Sequence, residues 1–344
     1  MDICEANKLG LESARRAGQT SGMSRRLCPL VLAADSAYAM PLATTIRSVA
    51  EANAGAWPLE IHVIHDGIDG ATQQRIFDSS PLGSVTIDWH TIDVSLFASD
   101  YIPLPYISRM TFARLVLPGV LADKAGKVLY LDSDILVFGD LSPLCDIDLG
   151  DAVIGAALDP LDAPVKQNKL GLEKVPRVGH YFNAGVLLID LGNWRNAQVT
   201  EKALHYLDRF PNSPFSDQDA LNVACDGYWK QLDNKWNFQC EPHESIVSPV
   251  DAERPAIAHF ITKSKPWKPS SMSVNAACYD AVRAKTRFAR SMSEIAREEI
   301  AILAHKLLKR SSLVRSVWSL AKGFRSARPA IIAQSHTEDD SRVY

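Results

Sequence analysis

The chain has 344 residues, of which 47% are hydrophobic and 22% are charged, so it is long enough to bury the core of a globular protein. Its formal net charge of −3 argues against a general nucleic-acid binder, whose domain would be strongly basic, and we expect no nucleic-acid partner. No apolar run in the sequence approaches the roughly 20 residues that a membrane-spanning helix needs.

Residues 1–26 are polar and show no periodicity, which predicts a flexible N-terminal extension. The chain then alternates between apolar runs typical of buried strands and stretches with apolar residues at helical spacing. In chain order the predicted elements are the strand Leu27–Asp35, a helix from about Met40 to Ala54, the strand Leu59–Ile64, a helix over Gln73–Phe77, the strand Val85–Trp89, a helix over Ser108–Leu115, and the strands Lys127–Leu131, Ala152–Ala157 and Gly185–Ile189. This alternation predicts an α/β fold with a mostly parallel central sheet flanked by helices, whose strand ends collect ligand-binding residues.

The C-terminal part differs in composition, because the segment from Ala301 to Thr337 contains basic residues and no acidic ones. Apolar residues, among them Trp318 and Phe324, fall on one helical face of this segment. We therefore predict a catalytic domain over 27–280, an amphipathic basic helical region over 281–330 and a flexible tail over 331–344. Such a helix either packs on the domain or lies on anionic lipid, and the sequence favours the lipid surface.

The compartment is predicted from two absences in the sequence. The N-terminus lacks the apolar core of a signal peptide. The six cysteines contain no CxxC pair, and a chain of this length needs no disulfide framework. We expect reduced thiols in a cytoplasmic protein that associates peripherally with the inner face of the cytoplasmic membrane.

The tripeptide Asp132-Ser133-Asp134 directly follows the apolar strand Lys127–Leu131. Two carboxylates that flank one small residue can share a divalent cation, and oxygen ligands suit Mg²⁺ or Mn²⁺. The tripeptide alone is weak evidence, because a solvated turn is equally compatible with it. His259 ends the apolar run Ala256–Ala258 and would complete a set of two carboxylates and one imidazole, which favours Mn²⁺ with Mg²⁺ as the alternative.

Other polar residues follow apolar segments, and each has a functional and a structural interpretation. Arg114 offers a planar fork of donors for a diphosphate, or forms a structural ion pair. Asp35 could accept hydrogen bonds from a uracil or ribose, or cap a helix. Tyr38 could stack on a base, or pack in the core. Lys265 is a compact cation suited to a phosphate.

Two further segments carry short polar side chains. Small residues in Asn183-Ala184-Gly185 permit close approach of a ligand to the backbone, or form a tight turn. The segment Ser216-Asp217-Gln218-Asp219 matches a capping box, with Ser216 as the cap and Asp219 three residues later. Both interpretations of each segment stay open from the residues alone.

The order of these motifs resembles the retaining family 8 glycosyltransferases over about residues 28 to 270. The stretches that carry the resemblance are Ala33-Ala34-Asp35 with Tyr38, Thr111-Phe112-Ala113-Arg114-Leu115, the Lys127–Leu144 segment around Asp132-Ser133-Asp134, Tyr181–Leu188, Asp217–Asn222, and His259-Phe260 with Lys265-Pro266-Trp267. By pattern, the bacterial lipopolysaccharide galactosyl- and glucosyltransferases are the most similar members. Two positions depart from the family pattern, Ala37 where a polar residue is usual and Thr262 where glycine is usual.

The resemblance implies a GT-A fold, a UDP-hexose donor, a glycan or glycolipid acceptor and Mn²⁺. It implies that Asp132, Asp134 and His259 bind the metal and that Gln218 and Asp217 act at the transferred sugar. It places the donor against Ala33, Asp35, Tyr38, Arg114, Asp132, Ser133, Asn183, Ala184, Asp217, Gln218 and Lys265.

Two other functions compete with this interpretation. Haloacid-dehalogenase-type phosphatases also place a DxD motif after an apolar strand, but near the start of their domain, whereas about 100 structured residues precede it here. A non-catalytic nucleotide-sugar-binding protein would keep the binding residues without turnover. The joint presence of Asp132, Asp134, Gln218 and His259 favours the enzyme.

Overall fold

The computed structural model of the chain describes residues 27–97, 108–122, 124, 126–160, 177–246, 254–268, 273–296 and 300. The chain divides into two compact units, Met1–Arg290 and Ser291–Tyr344. The first unit ends beyond the boundary predicted after residue 280, because the helix Ala276–Arg283 belongs to it. The predicted N-terminal extension 1–26, residues 297–299 and 301–330 of the predicted basic helical region, and the predicted tail 331–344 lie outside the described residues.

The strands are short to medium in length and follow the apolar runs of the sequence. They are β1 (Leu30–Asp35), β2 (Leu59–Asp66), β3 (Val85–Thr91), β4 (Lys127–Leu131), β5 (Ile135–Val137), β6 (Ile154–Leu158), β7 (Phe182–Asp190), β8 (Trp229–Leu232), β9 (Phe238–Gln239) and β10 (Ile257–His259).

The helices fall between these strands. The α-helices are α1 (Ala39–Ala52), α2 (Gly70–Phe77), α3 (Leu117–Val120), α4 (Ser142–Cys145), α5 (Leu191–Asn196), α6 (Val199–Arg209), α7 (Ser216–Ala224) and α8 (Ala276–Arg283), and the 3-10 helices are Ser36–Tyr38, Ala54–Ala56, Val94–Leu96, Arg109–Val116 and Asn234–Trp236. The helix predicted over Ser108–Leu115 is thus a 3-10 helix, and the Ser108 hydroxyl accepts a hydrogen bond from Met110 N.

The main sheet has seven strands in the order β3-β2-β1-β4-β7-β6-β8. β7 is antiparallel to both of its neighbours, β4 and β6, whereas the other pairs are parallel. The sheet is therefore mostly parallel, as predicted. Its one reversed strand brings the beginning of β7, rather than its end, to the edge where β1 and β4 finish.

Both faces of the main sheet are covered, which explains why its central strands are apolar along their whole length. On one face, Val31 and Tyr130 pack with the 3-10 helix Arg109–Val116 and with α6 and α7. On the other face, their neighbours Leu32 and Leu129 pack with α1. The alternation of side chains along each strand thus divides the core into two layers.

A second sheet of three strands, in the order β5-β10-β9, lies beside the main one. β10 pairs antiparallel to β5, with His259 opposite Ile135, and parallel to β9, with His259 opposite Gln239. This register sets His259 next to the residue that follows Asp134 in the chain. The small sheet is therefore what brings the C-terminal histidine to the DxD turn.

The expectation of reduced thiols is wrong for one cysteine pair, because Cys28 and Cys145 form a disulfide with a Cα–Cα separation of 5.8 Å. Cys28 precedes β1 and Cys145 ends α4, so their proximity depends on the fold and is invisible in the cysteine spacing. Cys225, Cys240 and Cys278 are free. Among the described residues, no helix is long and apolar enough to cross a membrane.

Thr45, on α1, connects this helix to the turn that follows β4. Its hydroxyl is fully buried and lies 2.9 Å from the backbone oxygens of both Ser133 and Ile135. The substitution Thr45→Val keeps the shape but removes the donor, so two buried carbonyl groups lose a partner. We expect the free energy of unfolding to fall by about 1–3 kcal/mol in urea denaturation.

Thr45→Ser is the matched control, because it retains the hydroxyl and removes only a methyl group. A Thr45→Val protein as stable as the wild type, or less destabilised than Thr45→Ser, would show that the hydroxyl does not support the turn.

Candidate active site

Polar residues converge at one edge of the main sheet because four strands meet there. β1 ends at Asp35, β4 is followed by Asp132, and β6 is followed by Asp159. The reversed β7 begins at Phe182, and Asn183 is its next residue. Carboxyl ends of parallel strands share one edge of a sheet, so this convergence follows from the strand directions.

Asp35, Asp132 and Asn183 are among the residues that line a cleft with about 280 Å³ of space. Every residue predicted to bind the donor or the metal contributes to its wall, except Ala184. Ala184 is fully buried and acts through its backbone, since its N–H donates to Gln218 Oε1 at 3.0 Å and its carbonyl accepts from Arg114.

The DxD turn is fixed by hydrogen bonds to three neighbouring elements. Ser133 Oγ donates to Ala33 O at 2.7 Å, Asp132 N donates to Gly185 O at 2.8 Å, and Phe260 N donates to Asp134 O at 3.0 Å. The middle residue of the motif therefore faces β1, which explains why a small hydroxyl residue fits there. Both carboxylates are left to face the cleft.

Asp132 and Asp134 each use one carboxylate oxygen for a neighbouring donor. Asp132 Oδ1 accepts from Arg114 Nη2 and from the Tyr130 hydroxyl, both at 2.9 Å. Asp134 Oδ2 accepts from Lys265 Nζ at 2.6 Å. The other oxygens face His259 Nε2, at 3.8 Å from Asp132 Oδ2 and 3.2 Å from Asp134 Oδ1.

The three side chains meet the requirements of a divalent cation site. Asp132, Asp134 and His259 offer one ligand atom each, and these atoms lie within 4.8 Å of one another. Asp134 Oδ1 is buried without a hydrogen bond, although His259 Nε2 is close. A buried carboxylate oxygen without a hydrogen bond is costly unless a cation uses it. Two carboxylate oxygens and an imidazole nitrogen are a ligand set typical of Mn²⁺ and related metals.

Electrostatics keep the Asp134 carboxylate ionised. Burial alone would raise the pKa of this carboxyl, but the nearby cation of Lys265 and the side chain of His259 outweigh burial and hold the pKa well below its usual range. The carboxylate is therefore charged at neutral pH, as a metal ligand must be.

Gly185 provides the space in which the three groups meet. A Cβ atom at this position would lie 2.1 Å from His259 Cε1 and 2.9 Å from Asp132 Oδ2. No side chain fits at this point of β7 without displacing the imidazole. The glycine in the Asn183-Ala184-Gly185 segment thus serves close packing against the histidine, and not a turn, because it lies inside a strand.

Arg114 is a buried cation between two carboxylates. Its guanidinium contacts Asp132 Oδ1 at 2.9 Å and Asp217 Oδ2 at 3.1 Å, and only 7% of the side chain is exposed. Burial opposes the charge on the guanidinium, but the carboxylates, Asp132 foremost, outweigh it and raise the pKa of Arg114 above its usual value. The structural ion pair that the sequence left open as an alternative is therefore present. The Arg114 side chain also lines the cleft.

Asp217 and Gln218 lie in the first turn of α7 and line the cleft. Asp217 Oδ1 accepts from the Thr111 hydroxyl at 2.6 Å. Burial raises the pKa of Asp217 to about 6, although the cation of Arg114 and the hydrogen bond from Thr111 oppose the shift. Gln218 Nε2 donates to Asp159 Oδ2 at 3.1 Å. Its amide is oriented unambiguously, because the N–H of Ala184 can only donate to Oε1.

Asp219 lies behind the cleft and is fully buried. It accepts hydrogen bonds from the hydroxyls of Tyr181 and Ser213 and from Phe215 N. The capping-box prediction is therefore wrong about Ser216, which is the first helical residue with φ of 48°, but right that Asp219 caps the helix start. Its partners make Asp219 a structural residue.

Asp35 and Tyr38 combine packing with a place in the cleft wall. Asp35 Oδ1 accepts from Tyr38 N at 3.1 Å and thereby caps the 3-10 helix Ser36–Tyr38, while Oδ2 accepts from the Ser108 hydroxyl at 2.7 Å. The Tyr38 ring meets Trp267 edge-on, with centroids 6.1 Å apart. The structural interpretations of both residues hold, and neither excludes contact with a ligand.

Sequence reasoning missed several residues of the cleft. Thr111 and Tyr130 lie within the motifs that contain Arg114 and Asp132, so their place in the cleft could have been predicted from the sequence. Lys263 and Lys268 line the cleft beside Lys265 and Thr262, and their spacing in the sequence gives no separate signal. The cleft thus has more basic side chains at one end than the motifs indicate.

Comparison with known families decides the class of the protein. The sequence model of the family described as "Glycosyl transferase family 8" matches residues 29–270. The chain belongs to this family. It is therefore a glycosyltransferase, as the order of its motifs predicted, and the phosphatase alternative is set aside.

Curated relatives agree with this assignment. The chain is 27% identical to general stress protein A of Bacillus subtilis over 69% of this chain and 86% of the relative. It is 30% identical to the lipopolysaccharide 1,3-galactosyltransferase of Salmonella typhimurium, over 61% of this chain and 64% of the relative. It is 27% identical to the lipopolysaccharide 1,2-glucosyltransferase of Escherichia coli, over 61% of this chain and 64% of the relative. The match thus spans somewhat less than two thirds of the lipopolysaccharide enzymes.

Solved structures confirm the fold. The galactosyltransferase LgtC, in complex with donor and acceptor sugar analogues, matches with a TM-score of 0.64 and 28% identity, over 78% of this chain and 99% of LgtC. An active-site mutant of LgtC matches with a TM-score of 0.63 and 29% identity, over 75% of this chain and 96% of the LgtC chain. The family 8 protein accordingly has the predicted GT-A fold.

The substitution Gly185→Ala tests the close packing between β7 and His259. The added methyl group must displace the imidazole or the carboxylate of Asp132, so we expect binding of a divalent cation to weaken at least about tenfold, as when the support of a metal ligand is removed. The measurement is a Mn²⁺ titration followed by the electron paramagnetic resonance signal of the free ion.

Gly70→Ala is the matched control, because a Cβ at this exposed helical position would meet nothing within 4 Å. Mn²⁺ affinity that is equal in the two variants would contradict the proposed use of the space at Gly185.

The raised pKa of Asp217 predicts a pH dependence of stability. The folded protein keeps the Asp217 proton up to a pKa of about 6, whereas the unfolded chain releases it near 3.8. The folded state thus binds more protons in this window, and its stability falls as the pH rises towards about 6. Asparagine does not titrate, so the Asp217→Asn variant should lack this contribution, which amounts to a decrease of up to about 3 kcal/mol in the free energy of unfolding.

The measurement is urea denaturation of the wild type and of Asp217→Asn from about pH 3 to about pH 7, a range that brackets the two pKa values. We expect the stability of the wild type, relative to the variant, to decrease across this range. Parallel curves would show that Asp217 titrates as it does in the unfolded chain.

Proposed function

We propose that this family 8 enzyme transfers a hexose, galactose or glucose, from a UDP-sugar to a glycan acceptor on lipopolysaccharide or another cell-surface glycolipid, with retention of the anomeric configuration. The observation that carries the proposal is the meeting of Asp132, Asp134 and His259 in one cleft with Gln218 and Asp217. Similarity to the lipopolysaccharide galactosyl- and glucosyltransferases supports the hexose and the type of acceptor.

The metal in this proposal is Mn²⁺, with Mg²⁺ as the alternative, held by Asp132 Oδ2, Asp134 Oδ1 and His259 Nε2. When bound, the cation supplies positive charge for the diphosphate leaving group. The imidazole favours Mn²⁺ over Mg²⁺, because Mg²⁺ prefers oxygen ligands only. Open space in front of the three groups leaves room for phosphate oxygens.

Lysine side chains would add to the positive charge that the cation provides for the diphosphate. Lys265 Nζ lies beside Asp134 and donates to Phe260 O as well, so its ammonium is held at the edge of the cleft. Lys263 and Lys268 line the same end of the cleft. Fixed positive charge near the leaving phosphate lowers the energy of the transition state as negative charge develops there.

The nucleotide would lie towards the end of β1. Ala33, Asp35 and Tyr38 form this wall of the cleft, and Ser133, whose hydroxyl donates to Ala33 O, lines the cleft beside them. An aromatic ring and a carboxylate are suited to a uracil and a ribose, respectively. Thr262, in place of the usual glycine, lines the cleft next to Lys263, and we expect its side chain to reduce the space for the diphosphate there.

Retention usually requires a carboxylate nucleophile behind the anomeric carbon. In this proposal the transferred sugar lies against the amide of Gln218, which lines the cleft, whereas the nearby carboxylate of Asp219 is fully buried and accepts three hydrogen bonds. We therefore favour a front-face path. The bond between the anomeric carbon and the phosphate oxygen breaks, the acceptor oxygen bonds to the same face of that carbon, and the acceptor proton passes to the departing phosphate.

The role of Asp217 in this path is to bind sugar hydroxyls while Arg114 keeps it oriented. Asn183 Nδ2 and Gln218 Nε2 both donate to Asp159, so the amides at the sugar end are fixed before a ligand arrives. Groups that are ordered in advance lose little entropy when the transition state forms.

Association of the basic C-terminal region with an anionic membrane surface completes the proposal. The segment 301–337 lies outside the described residues, and its support is the sequence pattern of cations and aromatic residues. A peripheral position at the inner face of the cytoplasmic membrane would bring the cleft to a lipid-linked acceptor.

The proposal is tested by UDP release from a panel of UDP-sugars, with a bacterial envelope extract as the acceptor. We expect one UDP-hexose to turn over in Mn²⁺ and none in EDTA. Asp134→Ala should lower turnover at least about 100-fold, because a metal that stabilises the leaving group contributes several kcal/mol.

Asp146→Ala, at an exposed aspartate after α4, is the matched control and should keep wild-type turnover. Binding of UDP-sugars without release of UDP, from every donor in the panel, would instead indicate the non-catalytic nucleotide-sugar-binding protein.

A further inference from the structure

Asn237 connects His259 to the backbone of β7. It follows the 3-10 helix Asn234–Trp236, is 1% exposed, and precedes β9, which is hydrogen-bonded to β10. Asn237 Oδ1 lies 3.0 Å from His259 Nδ1, and Asn237 Nδ2 donates to Asn183 Oδ1 at 2.9 Å. Neither the motifs nor the family resemblance singles out this residue.

The direction of every hydrogen bond in this chain is fixed by a backbone group. Gly185 N can only donate, so the atom of Asn183 that faces it at 3.0 Å is the oxygen. That oxygen also faces Asn237, which must present its amino group to it. The oxygen of Asn237 is then left for His259, and only a protonated Nδ1 can donate to it.

We propose that Asn237 is a positioning residue that holds neutral His259 with its proton on Nδ1 and the lone pair of Nε2 directed at Asp132 and Asp134. The inference rests on the metal-dependent function proposed above, which it deepens. In the opposite tautomer, Nε2–H would donate to Asp134 Oδ1, 3.2 Å away, and would block the position of a cation.

The hydrogen bonds that join Asn183, Asn237 and His259 are buried, so water cannot take the place of a missing partner. Asn183, Asn237 and His259 are 6%, 1% and 4% exposed. A buried imidazole in the other tautomer would direct the lone pair of Nδ1 at the lone pairs of Asn237 Oδ1, and neither atom would then have a hydrogen-bond donor. Hydrogen bonds from the second nitrogen of metal-binding histidines generally fix the tautomer in this way.

The same chain couples the metal end of the cleft to its sugar end. Asn183 Oδ1 is already saturated by Gly185 N and Asn237 Nδ2, so this residue can offer a ligand only its amino group. That amino group already donates one proton to Asp159 Oδ2, which also binds Gln218. A single network of buried amides therefore orients both the proposed metal ligand His259 and the amide at the reacting sugar.

The first test reads the tautomer directly in the full-length wild type without metal. The protein is labelled with ¹⁵N-histidine, and long-range ¹H–¹⁵N spectra are recorded at about pH 8, above the ordinary histidine pKa of about 6.5. Comparison with His259→Gln identifies the signal. We expect a protonated Nδ1 and an unprotonated Nε2, and a protonated Nε2 would overturn the inference even if no variant of Asn237 folds.

The second test is Asn237→Leu, which keeps the approximate shape and removes the acceptor. We expect the His259 signal to lose its Nδ1–H pattern and the affinity for Mn²⁺, followed by the resonance of the free ion, to fall about 10- to 100-fold. Asn234→Leu, at an exposed position of the adjacent 3-10 helix, is the matched control and should leave both measurements unchanged.

The outcomes separate this inference from the proposed function. Tight Mn²⁺ binding by the wild type together with an unchanged tautomer and affinity in Asn237→Leu would overturn the role of Asn237 and leave the function standing. Absence of Mn²⁺ binding by the wild type would contradict the proposed metal site, and the tautomer measurement would then decide the role of Asn237 by itself.

Discussion

The buried guanidinium of Arg114 is the interaction on which the cleft depends. It neutralises Asp132 on one side and Asp217 on the other, and its Cζ atom lies 4.9 Å from the centre of the Tyr130 ring. Removal of one partner from a buried ion pair costs about 3–5 kcal/mol, since the remaining charge is left without compensation. This cation offsets the repulsion between two carboxylates that come from distant parts of the chain, Asp132 after β4 and Asp217 on α7.

The arrangement also explains why the carboxylates of the cleft behave differently. Asp134 lies next to Lys265 and stays ionised, whereas burial raises the pKa of Asp217 even though Arg114 opposes the shift. Asp219, deeper still, has a pKa raised by burial and serves the helix start. Burial and the nearest cation, rather than residue type, thus distinguish three aspartates: Asp134, the proposed metal ligand; Asp217, the proposed sugar contact; and Asp219, which supports the helix start.

Much of the fold and the location of the cleft could be predicted from short segments of sequence. The DxD turn follows an apolar strand, and His259 ends another, so each is visible locally. The direction of β7 could not be predicted, because an apolar run reads the same in both orientations. The partners of Arg114 and Asn237 were equally invisible, since they come from elements far away in the chain and depend on strand order and register.

The register between β5 and β10 has a consequence for how the enzyme is made. His259 lies opposite Ile135, although more than a hundred residues separate them in the chain. During translation, the DxD turn leaves the ribosome well before the small sheet can close over it. The nascent chain therefore carries two acidic side chains without their imidazole neighbour while more than a hundred intervening residues are synthesised, and the site is completed by β10, the last strand of the part of the chain that the structure describes. Since contacts so distant in sequence generally form slowly, we expect the pairing of β5 with β10 to be completed late in folding.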